Sequence, residues 1–424
     1  MRLLRYLPIL SGLLMCVSCD DTLGDTQANT CDVRIDVNLP EGTPEATAYH
    51  LTFHNITTGQ DTTITNTRGI TLMKGLYDIT YEGTATAESG VTGSLRGKIT
   101  SVEILDRYVA IDMTAYFTVE TNDLIISEVF FTGTLQSSGN QYYGDDYVKL
   151  YNNTDHVIYA DGLTLFETKF TTTEKYDYTP DIMDQAVTVQ ALYTIPGTGK
   201  DVPVQPGGYL LLADTGIDHR VANPNSFDLS HADFEWYDIS TKPANIDIDS
   251  PYVPNLDKWY CYTLSYWVLH NRGFKAYGIA RIPVDKETYM KDYYYSYDYE
   301  IVSAAGTFPM SQSAYKLPNE WVVDIVNCSV AATFQWTVCS PMLDMSWTNC
   351  GTIDHDKTRY FHAVRRKLLY VNEDGNPVFK DTNNSAEDFN PMCTPSEIEL
   401  QGTATDLNGN RATVITYDGV TPVK

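Results

Sequence analysis

The stretch from Leu124 to Glu167 constrains the fold of this chain more than any other part of the sequence. It opens with the apolar run LIISEVFF and continues with YVKLY at Tyr147–Tyr151, where apolar and polar positions alternate. Alternation at period two is typical of β-strands. Asn152–Asp155 supply turn residues, and another strand pattern follows over Val157–Leu165. Together with 31 tyrosines and a high content of turn residues, the stretch predicts an all-β fold.

The order of these signals resembles the lamin-tail domain, an immunoglobulin-like sandwich that many secreted bacterial proteins carry. The shared features are a strand ending in ISE, an acidic gap, an aromatic strand before YNNTD, and a Gly-Leu-x-Leu step at Gly162. The blocks at Val204–Asp214, Trp267–Arg281 and Pro318–Asn327, with the phrase DTNNSAEDF, resemble a family of uncharacterised Bacteroidota lipoproteins, domain of unknown function 4876. The resemblance implies a lamin-tail-like sandwich over residues 122–392.

Three long insertions distinguish this sequence from a compact lamin tail. They lie near Thr171–Pro203, Ile217–Tyr260 and Pro283–Pro318. Insertions into a sandwich become loops at its ends, and binding residues are concentrated on such loops. We therefore expect a ligand site, if the domain has one, on the inserted segments.

Residues 31–118 precede this domain and contain their own strand patterns. The phrase LMKGLYDITYEG, from Leu72 to Gly83, resembles an edge of transthyretin-like or carboxypeptidase-regulatory-like β-sandwiches. The resemblance implies a sandwich that serves as a spacer, so the expected architecture is two β-sandwich domains in tandem. Residues 393–424 follow the second domain and are expected to form a C-terminal hairpin or tail, with strand patterns around Ile398 and after Asn408.

The first residues have the pattern of a lipoprotein signal peptide, predicted to span residues 1–18. Arginines precede an apolar run over Leu7–Val17, which is too short to span a bilayer as a mature helix. Ser18 directly precedes Cys19, as a lipoprotein peptidase requires. We predict cleavage at this point and acylation of Cys19, with palmitate among the acyl chains, followed by an acidic tether over residues 19–30. The pair Asp20-Asp21 resembles the signal that exports lipoproteins of the Bacteroidota to the cell surface.

The charge of the chain excludes one class of partner. The formal net charge is −26, and removal of Arg2 and Arg5 with the signal peptide makes it −28. Nucleic-acid affinity depends on neutralising phosphates with Lys and Arg, so nucleic-acid binding is not expected.

Six cysteines remain after Cys19. They are Cys31, Cys261, Cys328, Cys339, Cys350 and Cys393. In an exported protein this even number permits disulfides, and the cluster from Cys328 to Cys393 predicts one or two of them, with free buried thiols as the alternative. No closely spaced cysteine pair indicates zinc, so no metal or other cofactor is expected.

Two groups of residues are candidates for a functional site. The run YMKDYYYSYDY contributes Tyr293, Tyr295 and Tyr297, and Trp259 lies in another aromatic patch; such rings bind sugars, flat ring systems or proteins, but alternating tyrosines are equally typical of a half-buried strand. The second group lies within one insertion and contains carboxylates and imidazoles that suit a metal or acid–base chemistry, or else a helix cap: Asp214, His219, His231, Asp233 and Glu235. Because nucleophile and phosphate-loop motifs are lacking, no catalytic residues are predicted.

The function expected from these patterns is binding. A cell-surface lipoprotein anchored in the outer membrane and facing the cell exterior would act as a non-catalytic binding or accessory module. By analogy with other surface lipoproteins of this phylum, its partner would be a TonB-dependent outer-membrane receptor. Two alternatives remain open from the sequence: a secreted surface hydrolase, because lamin-tail-like modules accompany such enzymes, and a structural or adhesive surface protein.

Overall fold

The computed structural model describes residues 29–39, 43–86, 92–118, 122–242, 246–263, 265–372, 374–402 and 416–420. The predicted signal peptide, Cys19, nearly all of the tether and the expected turn after Asn408 lie outside the described residues. The chain divides into two compact units, of which the first contains the described residues 29–38, 50–80 and 99–113, and the second contains the rest. In the described part of the chain, no helix is both long and apolar enough to cross a membrane.

The described residues between 29 and 118 form eight strands in two sheets. The strands are β1 (Thr30–Asn38), β2 (Ala46–Asn55), β3 (Gln60–Thr65), β4 (Gly69–Met73), β5 (Gly75–Thr86), β6 (Thr92–Ile104), β7 (Tyr108–Thr114) and β8 (Tyr116–Thr118). One sheet has the order β4-β1-β7 and the other the order β3-β2-β5-β6-β8. In β5 the alternation Tyr77, Ile79, Tyr81 is buried while the residues between are half-buried, as the sequence predicted.

The remaining chain contains nineteen described strands and three described α-helices. The strands are β9 (Ile125–Phe130), β10 (Thr134–Leu135), β11 (Gln141–Tyr142), β12 (Tyr147–Tyr151), β13 (Ile158–Tyr159), β14 (Leu163–Thr168), β15 (Ala186–Thr194), β16 (Pro203–Val204), β17 (Tyr209–Ala213), β18 (Phe234–Glu235), β19 (Asp257–Cys261), β20 (Ala276–Arg281), β21 (Tyr294–Ser303), β22 (Gly306–Pro318), β23 (Val322–Asn327), β24 (Ala363–Arg366), β25 (Leu368–Val371), β26 (Pro377–Phe379) and β27 (Phe389–Cys393). The helices are α1 (Lys286–Asp292), α2 (Ser385–Asp388) and α3 (Ser396–Gln401).

Two large sheets organise this part of the chain. A six-stranded sheet has the order β18-β17-β12-β9-β24-β27, and a seven-stranded sheet has the order β21-β22-β15-β14-β20-β23, with β19 paired to β15. All pairs are antiparallel except β17 with β18. Apolar side chains from both sheets, including Leu150, Leu212, Leu165 and Ile279, form one core. The all-β sandwich prediction is therefore confirmed.

The apolar run at Leu124 follows from burial on both faces of β9. Its alternate residues enter the core between the sheets, and Phe130 packs instead in a second cluster with Phe227 and Ile398. A strand covered on both faces gives a nearly continuous apolar sequence instead of an alternating one.

The three insertions are not simple loops. The first contains β15, a fully buried strand at the centre of the seven-stranded sheet, and the third contains α1 and the long hairpin β21–β22. The second contributes the sheet-edge strand β18 and the pairing strand β19. The β-branched and aromatic residues of these insertions are buried against apolar side chains of the sheets, and this burial favours strand structure.

One local strand prediction is wrong. Ile398 and Leu400 lie in α3, where Ile398 is buried and Leu400 is 55% exposed. Buried acidic residues in the first turn favour this helix, because carboxylates are stabilised near a helix N-terminus. The block Trp267–Arg281 contains one strand, β20, since the chain is irregular until Ala276 and turns at Gly273 with φ +61°.

Candidate ligand-binding site

The four aromatic residues proposed from the sequence lie on or beside the seven-stranded sheet. Tyr295 and Tyr297 on β21 are buried, with 4% and 3% of their surface exposed. Tyr293 is half-buried and stacks on Tyr289, and Trp259 is half-buried against the same tyrosine ring. These side chains pack in one apolar cluster. Tyr295 also lines a cavity.

This cavity has a volume of about 320 Å³ and is called the first cavity below. Its volume falls within the range of roughly 300–1,000 Å³ found for small-molecule sites. The lining comes from the segment before β15, from β15 and β21, and from the chain after β23: Phe170, Lys175, Tyr176, Asp177, Tyr178, Asp181, Ile182, Met183, Ala186, Thr188, Tyr295, Trp336 and Val338.

The aromatic wall of the first cavity has a fixed geometry. The rings of Phe170 and Tyr178 stack with centroids 4.0 Å apart, and the Trp336 ring lies 6.0 Å from Tyr178 at an interplanar angle of 28°. The Trp336 Nε1–H donates to the carbonyl oxygens of Thr171 at 2.9 Å and Glu174 at 3.0 Å. These bonds hold the indole in place, so little rotamer entropy is lost when a ligand packs against it.

Thr188 places a polar atom in this cavity beside its aromatic wall. The residue lies on β15, only 2% of its surface is exposed, and its Oγ1 has no hydrogen-bond partner among the described residues. Ala186, two positions earlier, lines the same cavity, as expected for side chains on one face of a strand. A buried hydroxyl without a partner is uncommon in native proteins, and a bound ligand is one way to satisfy it.

Charged groups are confined to the mouth of the first cavity. Lys175, Asp177 and Asp181 are exposed, and the Lys175 Nζ lies 5.9 Å from the centroid of the Trp336 ring. Inside, the Tyr295 hydroxyl donates to the Pro180 carbonyl oxygen at 2.6 Å, and burial raises the pKa of Tyr295 to about 12. The interior therefore offers neutral hydroxyls and ring faces at physiological pH.

A second cavity of about 580 Å³ adjoins the first. Asp177 lines both, and the other lining residues are Thr179, Asp298, Tyr299, Glu300, Val302, Pro309, Met310 and Ser311. Thr179 and Asp298 exchange two backbone hydrogen bonds of 2.9 Å, which attach the segment before β15 to β21. The hairpin β21–β22 thus forms the floor of the second cavity.

A separate cleft of about 340 Å³ contains ionisable groups. Its lining includes Tyr143, Glu167, Gln190, Tyr262 and His270. Gln190 Nε2 donates to Glu167 Oε1, and the His270 backbone N–H donates to Glu167 Oε2 at 3.1 Å.

The ionisable groups of this cleft have shifted pKa values. Burial raises the pKa of Glu167 despite the opposing effect of the nearby Lys275. Burial also lowers the pKa of Lys275 to about 8 and that of His270 to about 3. A carboxyl and a neutral imidazole beside a cleft form an arrangement capable of acid–base chemistry.

The five residues of the other sequence-predicted group do not converge on one point. The His219 ring bonds the Tyr142 hydroxyl at 3.0 Å, while the His231 ring bonds Glu397 at 3.0 Å. Asp214 accepts from the Trp236 indole, Asp233 from the Leu211 backbone, and Glu235 from the backbone N–H groups of Gly216 and Ser250. Each therefore holds local structure. Within the described ranges, no group of three or more His, Cys, Asp and Glu side chains is arranged to bind a metal.

The six cysteines of the described residues are free thiols, and all but Cys261 are buried. Free thiols, which the sequence left open as the alternative to disulfides, are therefore the arrangement found in the described residues. Burial raises the pKa of Cys261 to about 11, so this thiol is not activated.

The residues that the sequence interpretation missed come from the first insertion and from a distant loop. Tyr178 and Thr188 were assigned to an inserted loop, and the sequence predicted no role for Phe170, directly before that loop, or for Trp336. The segment FTTTEKYDY carries an alternation of Tyr176 and Tyr178, and VTV at Val187–Val189 is a strand signal. These patterns indicated strands and rings near one another in sequence, but only the fold brings Trp336 to them.

Comparison with known proteins supports the family resemblance. Residues 205–396 match the sequence profile of a family described as "Protein of unknown function (DUF4876)". The match covers 192 of the 424 residues, a segment that includes Tyr295 and Trp336 but not Thr188. No curated protein matches the sequence.

A solved structure has a similar fold. It is the crystal structure of a DUF4876 family protein from Bacteroides thetaiotaomicron VPI-5482, with a TM-score of 0.51 and 18% sequence identity. The match covers 87% of this chain and 96% of that chain. At this identity the likeness concerns the fold alone.

Proposed function

We propose that this chain is a non-catalytic binding module and that the first cavity is its ligand site. The observation that carries the proposal is the Thr188 hydroxyl, which is buried and has no described partner inside a preformed aromatic cavity. Leaving a hydroxyl unpaired costs roughly 1–3 kcal/mol, and a ligand hydrogen bond recovers part of this cost. The ligand is a molecule with an apolar face for the rings and a polar group for Thr188.

The proposed location is the outer face of the outer membrane. Support comes from the sequence, in which Ser18-Cys19 follows an apolar run and precedes two aspartates. A lipid at Cys19 would hold the module at the surface, and a TonB-dependent receptor is the partner proposed by analogy of address and architecture. In this arrangement the module captures a ligand outside the cell and delivers it to the receptor.

Thermal unfolding in the presence of candidate ligands tests the proposed function. Full-length protein in detergent is screened against saccharides, short peptides and aromatic metabolites, and each ligand that raises Tm is tested again on Thr188→Val. We expect at least one ligand whose affinity falls about fivefold in the variant, because a single hydrogen bond is worth roughly 1 kcal/mol. Thr307→Val, on the exposed part of β22, is the matched control. Ligands that bind both variants as tightly as the unchanged protein would contradict the proposal.

The cleft at Glu167 favours a second candidate, a surface hydrolase. Its supporting observation is the pair of Glu167, with a raised pKa, and a neutral His270 beside an aromatic cleft. If the module were an enzyme, Glu167→Gln would abolish turnover of the ligands found above and leave their binding to the first cavity intact. Product analysis by mass spectrometry distinguishes the two functions, since a binding module returns every ligand unchanged.

A further inference from the structure

We propose that the two adjoining cavities form one groove for a chain of neutral sugar units. This inference rests on the proposed binding function and specifies its ligand class. One unit occupies the first cavity, against Trp336 and Thr188, and the next units extend across Asp177 into the second cavity.

The groove is continuous because the same segment lines both cavities. Asp177 contributes to each, and its two neighbours Tyr176 and Tyr178 hold their rings 4.8 and 5.5 Å from the ring of Tyr299. The backbone bonds between Thr179 and Asp298 fix this segment on the hairpin. Aromatic surface therefore runs from the first cavity to the second, which suits a ligand made of repeated units.

The lining chemistry matches a pyranose unit. Such a ring has an apolar C–H face, which packs on aromatic side chains, and hydroxyl groups around its edge. The first cavity supplies ring faces and the Thr188 hydroxyl. The second supplies Tyr299, Val302 and Met310 as apolar surface, with the carboxylates of Asp177 and Glu300 at its rim. Ionised carboxylates accept strong hydrogen bonds from hydroxyls.

The charge of the groove selects among sugar chains. Asp177, Asp298 and Glu300 give the second cavity a negative potential, which repels uronate or sulfate groups. A basic peptide is the competing ligand class. It fits the first cavity poorly, because the interior groups are neutral and the Lys175 ammonium stands at the mouth.

The test uses full-length protein in detergent and an array of oligosaccharides of one to four units that differ in sugar and linkage. The tightest neutral series is then measured by calorimetry, together with its counterparts oxidised to uronates and with oligolysine. We expect a trimer to bind at least about tenfold more tightly than its monomer and the uronate chains to bind weakly. In Glu300→Lys the neutral chains should lose affinity, and the uronate chains should gain it. Glu320→Lys, an exposed acid outside both cavities, is the control.

Several outcomes would overturn the inference. Equal affinity for monomer and trimer, no effect of Glu300→Lys, tighter binding of oligolysine, or no binding of any neutral saccharide would each do so. The proposed function would survive these results if another ligand still depended on Thr188. If Thr188→Val left the binding of every probe unchanged, the proposed function would fail as well.

Discussion

At the scale of single residues, the Thr188 hydroxyl is expected to have opposite effects, because it lowers stability and favours ligand binding. Its side chain is nearly as large as valine and lines the first cavity together with Ala186 and Trp336, yet it carries a hydroxyl that no described group satisfies. A purely structural role would favour valine at this position, since an unpaired buried hydroxyl lowers the free energy of unfolding. The hydroxyl therefore argues for a function that offsets its cost.

The first prediction follows from this conflict. Thr188→Val should raise the free energy of unfolding of the ligand-free protein by about 1 kcal/mol, because it removes the unpaired hydroxyl at nearly constant volume. The same change should weaken ligand binding. Urea unfolding followed by tryptophan fluorescence measures the first effect, with the exposed Thr307→Val as reference. A loss of stability on Thr188→Val would show that the hydroxyl has a structural partner, and the argument for a ligand would then fail.

The sequence predicted correctly that the site contains aromatic residues, but it predicted less well which residues line it. Tyr295 was chosen for its place in a tyrosine run, and it does line the first cavity, but Tyr297 points into packed rings. Both residues lie on the buried face of β21, and strand alternation does not say which residue of that face borders a cavity. Thr188 had no distinguishing signal, because a hydroxyl becomes unusual only when the fold buries it without a partner.

At the scale of elements, α3 is attached to the six-stranded sheet by ion pairs. Glu397 Oε1 accepts from the Lys149 Nζ at 2.7 Å, and its Oε2 lies 3.0 Å from the His231 ring. Glu399 accepts from Arg365 at 2.7 Å. These groups are largely buried apart from His231, so the ion pairs are screened less than surface pairs.

The pH dependence of this attachment gives a second prediction. Hydrogen bonds to His231 and Lys149, with their charges, hold the pKa of Glu397 at about 2, against an ordinary value of 4.5. The contribution of Glu397 to the free energy of unfolding is therefore present above about pH 4.5 and is lost as the pH falls towards 2. Glu397 raises the pKa of His231 above its ordinary 6.5, so that contribution is present below pH 6.5 and is lost as the pH rises through the folded-state pKa.

Glu397→Gln should therefore lower the free energy of unfolding most between about pH 4.5 and 6.5. We expect a loss of roughly 3 kcal/mol there, since one pKa unit corresponds to about 1.4 kcal/mol, and a much smaller loss near pH 2. Urea unfolding at pH 2.5, 5.5 and 8 measures the difference between variant and unchanged protein. Glu320→Gln should show no such profile. A loss that is the same at all three pH values would mean that packing of α3, and not its charge, is responsible.

Elements that combine with distant segments were the hardest to predict. β9 and β12 could be identified because their sequence patterns are long and regular. β15 was placed in a loop because its neighbours in the sheet, β14 and β22, lie far apart in sequence. α3 was mistaken for a strand because its two buried glutamates resemble polar positions of an alternating pattern until Lys149 and Arg365 are found beside them.

At the scale of the whole molecule, the acidic composition of the chain determines which charged partners it repels. A formal charge of −26 favours solubility and repels polyanions, and the carboxylates at the second cavity continue this tendency at the proposed site. The all-β class could be predicted from sequence because turn and strand signals recur along the chain. The joining of two insertions into one groove depends on long-range pairing, which local patterns do not encode.

Attachment to the membrane gives the last prediction. The sequence predicts an anchor at Cys19, and in the described part of the chain no helix is both long and apolar enough to cross a membrane. Cys19→Ser should therefore move the protein from the outer-membrane fraction to the soluble fraction, as measured by fractionation and immunoblotting. Cys31→Ser is a control, because Cys31 is a buried thiol of β1.

Protease digestion of intact cells then tests which side of the membrane the protein faces, independently of whether it is anchored. If the protein faces the exterior, added protease should remove it from unbroken cells that carry Cys19 and should spare a periplasmic marker. Replacement of Asp20 and Asp21 by alanine should protect the protein while leaving it lipidated, because the acidic pair is the proposed surface signal. A Cys19→Ser protein that remained membrane-bound would refute the anchor. An anchored protein that resisted protease would keep the anchor and refute only the outward orientation, and the ligand would then have to be sought in the periplasm.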